Sequence, residues 1–554
     1  MTKPNLMNRK FSLFAFSLLL ISCISLAQVS KNQELSKPKL IVGLVVDQMR
    51  WDFLYRYADR YSDEGFKRLL KEGFSCENTM IPYAPTVTAC GHSCIYTGSV
   101  PAITGITGNN WWDKDLDKQV YCTEDSNFSS VGSMSNAGKM SPNNLLVTTV
   151  TDELRLATNF RSKVIGIAIK DRGAILPAGH TANAAYWYDD QSGNWITSTF
   201  YVNELPAWVS SFNKRKLMDS LLATDWKTLY PPETYIQSTD DNKSYEGKYP
   251  GAISSAFPHE FSRIRELQKD IAIKAVPQGN IFTLKFAEAA IEGEQLGMGD
   301  QTDFLTISCS SPDYIGHQFG PNSIENEDDY LRLDNEIASF LEFLDGKYGA
   351  GNYLLFLTAD HGVAHVPGFL DEHKIPGGFL STGGIAYYLN ANAKASFGLK
   401  SDVILNSDNY QLSLNHYLLD SAKISREEMV NFLLPLLRKI NGVANAFDIE
   451  KISLTTLPEV QKRMFSNGYY ATRSGDIQLI FKPGWIEGGP TGTTHGSWNP
   501  YDAHIPLVWF GWNIKQGKTN KETYMTDIAP TIAAMLRIQM PSGSIGKVIT
   551  EILK

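Results

Sequence analysis

Cysteine is scarce in this sequence, and no Cys-x-x-Cys pair occurs anywhere in its 554 residues. A thiolate zinc site and a thioredoxin-like redox motif are thereby disfavoured. Of the six cysteines, Cys23 lies near the N-terminus; the other five, Cys76, Cys90, Cys94, Cys122 and Cys309, are odd in number. In an exported protein at least one thiol would stay unpaired, and buried thiols with at most one disulfide are expected. There is no extended basic run, and the formal net charge is -8. Nucleic acid is therefore not expected as the main partner, because binding a phosphate backbone needs clustered Lys and Arg. No internal repeat and no low-complexity linker is found. The longest apolar stretch, near the N-terminus, is too short to predict a transmembrane span.

That stretch reads instead as a signal peptide over residues 1–27. Lys3, Arg9 and Lys10 form its positive region, Phe11 to Leu20 its apolar region, and Ser25-Leu26-Ala27 a small-residue cleavage site. Leu20-Ile21-Ser22-Cys23 also resembles a lipobox, so two fates stay open: cleavage after Ala27, with export to the periplasm, or a lipoprotein anchored through Cys23. The rest of the composition, 43% apolar and 20% charged, is that of a globular protein with a large core.

Short apolar runs, several ending in polar residues, dominate the remaining pattern. Leu40 to Val46 runs into Asp47; Val164 to Ile169 into Lys170-Asp171-Arg172; Phe304 to Cys309 is followed by Ser310-Ser311-Pro312-Asp313; Tyr353 to Ala359 runs into Asp360-His361. Ile505 to Gly511 follows His495. Continuous runs of this length predict parallel strands buried on both faces. Helical stretches such as Tyr330 to Leu344 and Asp527 to Leu536 alternate with them, which predicts an α/β protein with a mostly parallel sheet. Residues 180–290 and 365–490 break the alternation and read as insertions that cap a site; the second contains the apolar run Ile385 to Leu389 and the amphipathic Arg426 to Lys439. Ligands of parallel sheets bind beyond the carboxyl ends of the strands. Asp47, Lys170, Asp313 and Asp360 all fall there.

Three Asp and three His make a candidate ligand set for two Zn²⁺ ions: Asp47, Asp313, His317, Asp360, His361 and His495. Taken singly, Asp313-x-x-x-His317 or Asp360-His361 is more often a capping or solvated pair; their shared placement at strand ends is what carries weight. Pro85 to His92 resembles a strand-to-helix turn, so the Thr88 hydroxyl would face free N–H groups and the positive end of a helix dipole, with Thr86 as the local competitor.

Lys39 to Tyr57 (KLIVGLVVDQMRWDFLYRY) resembles the opening of PafA-type alkaline phosphatases, which sit in the type I phosphodiesterase/nucleotide pyrophosphatase branch of the alkaline phosphatase superfamily. The resemblance continues through Thr86-Val87-Thr88, Gly91-His92, Gly105 to Asn110, Lys170-Asp171-Arg172, Asp313-Tyr314-x-Gly316-His317, Thr358 to Gly362 and His495-Gly496, with Cys90 a local departure.

The resemblance implies an α/β/α sandwich, with residues 38–554 as a single catalytic domain. It implies Thr88 as a metal-contacting nucleophile, with Asp47, Asp360 and His361 on one zinc, and Asp313, His317 and His495 on a second. Asn109, Lys170 and Arg172 would contact phosphoryl oxygens. The expected activity is hydrolysis of small phosphate monoesters through a phosphothreonine, for broad phosphate scavenging by a monomer. The alternatives are a phosphodiesterase or nucleotide pyrophosphatase on the same scaffold, and a non-catalytic metal-stabilised binding protein. A sulfatase is less consistent, since no Cys-x-Pro-x-Arg or Ser-x-Pro-x-Arg motif lies near residue 88.

Overall fold

A computed structural model describes residues 37–554. The leader and Cys23 lie outside the described residues. Residues 38–554 form one compact unit.

Four apolar runs form strands where the pattern places them: β1 (Leu40–Val46), β2 (Val164–Ala168), β4 (Asp303–Cys309) and β5 (Tyr353–Thr358); β3 (Ala184–Asp189) comes from a stretch that the pattern leaves out of the sheet. They lie in the order β5-β1-β4-β2-β3, all parallel, at the centre of an eleven-stranded sheet. Every residue of β1, β2, β4 and β5 is buried, which is why these strands read as unbroken apolar runs rather than alternating ones. Helices cover both faces. Register fixes the site's geometry. Val45 pairs with Thr358 and Ser308, and Ser308 pairs with Ala168, so four strands end at one level. Asp47, Lys170, Ser310 and Asp360 therefore emerge along one edge.

Three helices start at that edge: α1 (Thr88–Thr97), α2 (Asp171–Ala178) and α3 (Ser311–Phe319). Every residue of α1 is buried. Gly91 permits this, since a Cβ there would collide with the Asp360 backbone.

Several details depart from the expected pattern. Ile505 to Gly511 is not one parallel strand. It splits into His504–Ile505 and Leu507–Gly511, and the latter runs antiparallel to β5. An apolar run reports burial but not direction. Ile385 to Leu389 lies inside the helix Thr382–Phe397. Residues 184–198 belong to the central sheet, as β3 and the antiparallel strand Asn194–Ser198. The stretch 365–490 holds a separate four-stranded antiparallel sheet, in the order Ile404–Asn406, Gln411–Leu414, Ile477–Phe481, Val443–Asp448. Cys76, Cys90, Cys94, Cys122 and Cys309 are all free and buried, so none of them forms the disulfide that was allowed for. Among the described residues, no helix is long and apolar enough to cross a membrane.

Candidate active site

Asp47 follows β1 directly, Asp360-His361 follow β5, and Asp313 and His317 project from the first and last turns of α3. His495 arrives from the glycine-rich segment before residue 496. Two groups of ligand atoms lie within 4.8 Å of one another: Asp47, Asp360 and His361; and Asp313, His361 and His495. His361 is common to both, and its ring stacks on that of His495 with centroids 3.5 Å apart. His317 stands at the edge of the second group, with Nε2 3.2 Å from Asp313 Oδ1, and keeps about a third of its side chain exposed. The expected pairing of Asp313 with His317 and His495 thus meets a structure in which His361 lies within both groups.

The imidazoles share one orientation. Nδ1 of His317, His361 and His495 donates to the carbonyl oxygens of Thr493, Gly362 and Thr86, at 2.8, 3.0 and 2.8 Å. A carbonyl can only accept, so the Nδ1 hydrogen is fixed, and in a neutral ring the Nε2 lone pair faces the carboxylates. Burial pushes the His361 imidazolium down to about 3 and also lowers His495, so both rings are neutral near pH 7. His317 is shifted upward by the Asp313 carboxylate beside it, against the desolvation of its ring.

Lys170 closes the gap between the groups. Its Nζ lies 2.7 Å from Asp47 Oδ2 and 2.6 Å from Asp313 Oδ2. Burial pushes its pKa down, but the two carboxylates outweigh this and hold it above its ordinary range. Asp47 is raised, first by burial and then by the charge of Asp360, which outweigh Lys170. Asp313, although buried, is held low by His317 and Lys170. Oδ1 of Asp47 and Oδ2 of Asp360 are buried and accept no hydrogen bond. Uncompensated carboxylate oxygens of this kind are costly unless a cation meets them. With neutral imidazoles beside them, the donor set fits zinc.

Thr88 is the first residue of α1, and its Oγ1 lies 3.5 Å from His361 Nε2. The competitor Thr86 is engaged elsewhere, donating to Ser497 O at 2.7 Å. Asn109 accepts the Ala89 N–H through Oδ1 at 2.9 Å, which fixes its amide against the first turn of α1. Arg172, in the first turn of α2, donates from Nη1 to the Tyr121 hydroxyl at 3.1 Å. The predicted residues are therefore brought to one edge of the sheet.

Three further residues went unassigned in the sequence. Gln48 adopts a left-handed backbone, φ 69°, and bridges the groups: its N–H donates to Asp360 Oδ1 at 3.1 Å and its Nε2 to Asp313 Oδ1 at 2.7 Å. His92 is tied to Thr88 O and Ser308 Oγ, both at 2.9 Å, and lies 3.3 Å from Asp360 Oδ2. Tyr121 is the third. Adjacency to Asp47 and to the Thr88 motif was the signal for the first two.

The family model described as type I phosphodiesterase/nucleotide pyrophosphatase matches residues 41–502. The chain belongs to that family. Within the family it is similar to the alkaline phosphatase PhoV of Synechococcus elongatus, 53% identical over 98% of this chain and 100% of the relative. It is also similar to a Myroides odoratus protein named calcium-transporting ATPase, 52% identical over 96% and 98%. It resembles the alkaline phosphatase PafA of Elizabethkingia meningoseptica at 48% identity over 94% and 96%. The crystal structure of wild-type PafA superposes with a TM-score of 0.91, covering 94% of this chain and 99% of that one. The family fold, an α/β sandwich around a mostly parallel sheet, is thus the fold of this chain.

Proposed function

We propose that this protein is a zinc-dependent phosphate monoesterase that works through a phosphothreonine on Thr88. The observation that carries the reading is the Thr88 hydroxyl, at a helix N-terminus, facing two groups of buried carboxylates and imidazoles that meet at His361 and Lys170. The first group, Asp47, Asp360 and His361 beside Thr88, would hold one ion; Asp313 and His495, with His317 alongside, the other. Two zinc ions bound there would supply Lewis acidity toward the entering and leaving oxygens.

Thr88 Oγ1 forms the new bond to phosphorus as the bond to the ester oxygen breaks, and the alcohol departs with that electron pair and takes up a proton. Water then attacks the phosphothreonine, releasing inorganic phosphate and restoring the hydroxyl. Lys170 has three donors, and two already reach Asp47 and Asp313, which leaves one for a phosphoryl oxygen. Arg172 and the Asn109 amide serve the remaining oxygens. A monoester offers a dianion with three free oxygens, and this cationic surround suits it better than a singly charged diester.

Residues 38–554 act as one catalytic domain. An exported monomer that frees phosphate from small esters, periplasmic or anchored through Cys23, is the role that fits the leader.

Metal analysis of the purified protein, joined to turnover of one aryl phosphate monoester, one diester and ATP, tests the reading. About two zinc ions per chain, activity lost on chelation and restored by zinc better than by magnesium, and a monoester preference are expected. Full activity after exhaustive chelation would refute it, and faster diester turnover would favour the phosphodiesterase reading. ATP belongs in the panel because of the ATPase name borne by one relative, and its terminal phosphoryl group presents the same dianion.

A further inference from the structure

Arg172, which is half-buried, is held in an unusual way for a cation at a site. Among the described residues no carboxylate forms an ion pair with it, although Asp171 is its neighbour in sequence; its Nη1 instead donates to the neutral Tyr121 hydroxyl at 3.1 Å. That hydroxyl in turn donates to Asp171 Oδ1 at 2.7 Å, and Asp171 Oδ2 accepts from Thr123 Oγ1 at 2.5 Å. The hydrogen-bond sequence has one direction: guanidinium to phenol, phenol to carboxylate. Direct contact with Asp171 would neutralise the guanidinium where it stands. With a phenol between them, the arginine is fixed in position while its charge stays available to a ligand. Arg172 Nε is buried and makes no hydrogen bond.

Tyr121 does not float. It ends the hairpin formed by Asn110–Asp113 and Lys118–Tyr121, in which Asn110 lies directly opposite Tyr121. The Cys122 N–H donates to Asn109 O at 3.0 Å. One hairpin thus anchors the backbone of Asn109 and the side chain of Arg172 at its base, on opposite strands. Burial and the Asp171 charge keep the phenol protonated well past neutral pH, so it can both donate and accept.

We propose that Tyr121 is a positioning residue for phosphoryl recognition: its hydroxyl holds Arg172 in line with Asn109 without cancelling the arginine's charge. This rests on the monoesterase reading above and extends it to a residue outside the cationic set. The test is a double-mutant cycle on the zinc-loaded enzyme, read as monoester kcat/KM, diester kcat/KM and inhibition by inorganic phosphate. Tyr121→Phe keeps the ring and removes only the hydroxyl. It should lower monoester kcat/KM by about tenfold, the scale of losing an outer hydrogen-bond partner of a site residue. Phosphate inhibition should weaken in parallel, and diester turnover should fall less. In an Arg172→Ala background the same change should have almost no further effect, because both variants remove one interaction. Thr123→Val, which loosens Asp171 and not the phenol directly, should give a smaller loss that also vanishes in that background.

Wild-type monoester activity in Tyr121→Phe would overturn the proposal, as would a full tenfold loss persisting without Arg172. If Arg172→Ala itself is harmless, the monoesterase reading fails at that residue and the proposal falls with it. If Arg172→Ala is severe and Tyr121→Phe is silent, only the proposal fails.

Discussion

Asp360 and Asp476 are both fully buried aspartates, yet they live in opposite circumstances. Asp360 stands at the end of a parallel strand of the central sheet, and its Oδ2 accepts no hydrogen bond. Asp476 precedes a strand of the small antiparallel sheet within 365–490, and both of its oxygens are engaged: Oδ1 by Arg426 Nε at 2.8 Å and His416 Nε2 at 3.1 Å, Oδ2 by the Leu414 N–H at 2.8 Å. Parallel strands that end together leave several chains and helix N-termini facing one edge, where polar groups converge and some carboxylate oxygens are left without a donor. The small antiparallel sheet completes its own hydrogen bonding. In this pair of aspartates, an unpartnered buried oxygen goes with the reactive edge and a fully engaged carboxylate with the architecture.

The largest effect should come from the reactive edge. Thr88→Ala is expected to cut monoester turnover by ~1000-fold or more, the scale seen when a covalent nucleophile is removed, while leaving the melting temperature near wild type. Thr88→Ser should retain appreciable activity because the hydroxyl survives. An inactive Thr86→Ala beside an active Thr88→Ala would reverse the assignment.

Lys170→Ala comes next. Loss of one oriented donor to a developing oxyanion costs about 100- to 1000-fold in rate. The loss should be larger on a monoester than on a diester; equal losses would mean that Lys170 holds phosphate without selecting the ester class. Lys170 also separates Asp47 from Asp313, so zinc retention should be measured alongside rate.

The opposite pole of the comparison is Asp476→Ala. It should destabilise the fold by about 3–5 kcal/mol, the cost of breaking a buried ion pair, and leave the kcat of folded enzyme little changed. Burial alone would raise the Asp476 carboxyl, but His416, Lys114 and Arg426 hold it well below the usual range. A carboxylate with a depressed folded-state pKa contributes stability that is fully present above its unfolded value, about 3.9. That contribution is lost as the pH falls through the folded value. Denaturant titrations of the wild type should therefore lose stability below about pH 4, and Asp476→Asn should lose less over the same interval. If Asp476→Ala abolished kcat at full folding, the division between the two regions would not hold.

Much of the reactive edge was legible because its strands are buried on both faces and so appear as unbroken apolar runs whose ends can be counted. Asp47, Lys170, Asp313 and Asp360 were located that way. Direction is not legible, so the run Ile505 to Gly511 reads as a parallel strand although Leu507–Gly511 is antiparallel. Residues 184–198 fall within 180–290, a stretch rich in Trp, Tyr, Pro, Ser and Asn with few long apolar runs, which reads as an insertion. Gln48 depends on a positive φ, and Tyr121 on a hairpin pairing twelve residues from Asn109; neither leaves a periodic trace. That His361 lies within both ligand groups is a matter of distance, which spacing along a chain does not encode.

The smallest expected effect returns to the cysteines. All five described thiols are buried and unpaired, and burial pushes Cys76, Cys94 and Cys122 up to about 12, far from the thiolate form that forms disulfides. A reductant should leave both melting temperature and activity unchanged. Among the described residues the fold thus has no disulfide to form: residues 37–554 ask for no oxidant or disulfide isomerase as they mature, and should assemble as well in reducing as in oxidising surroundings.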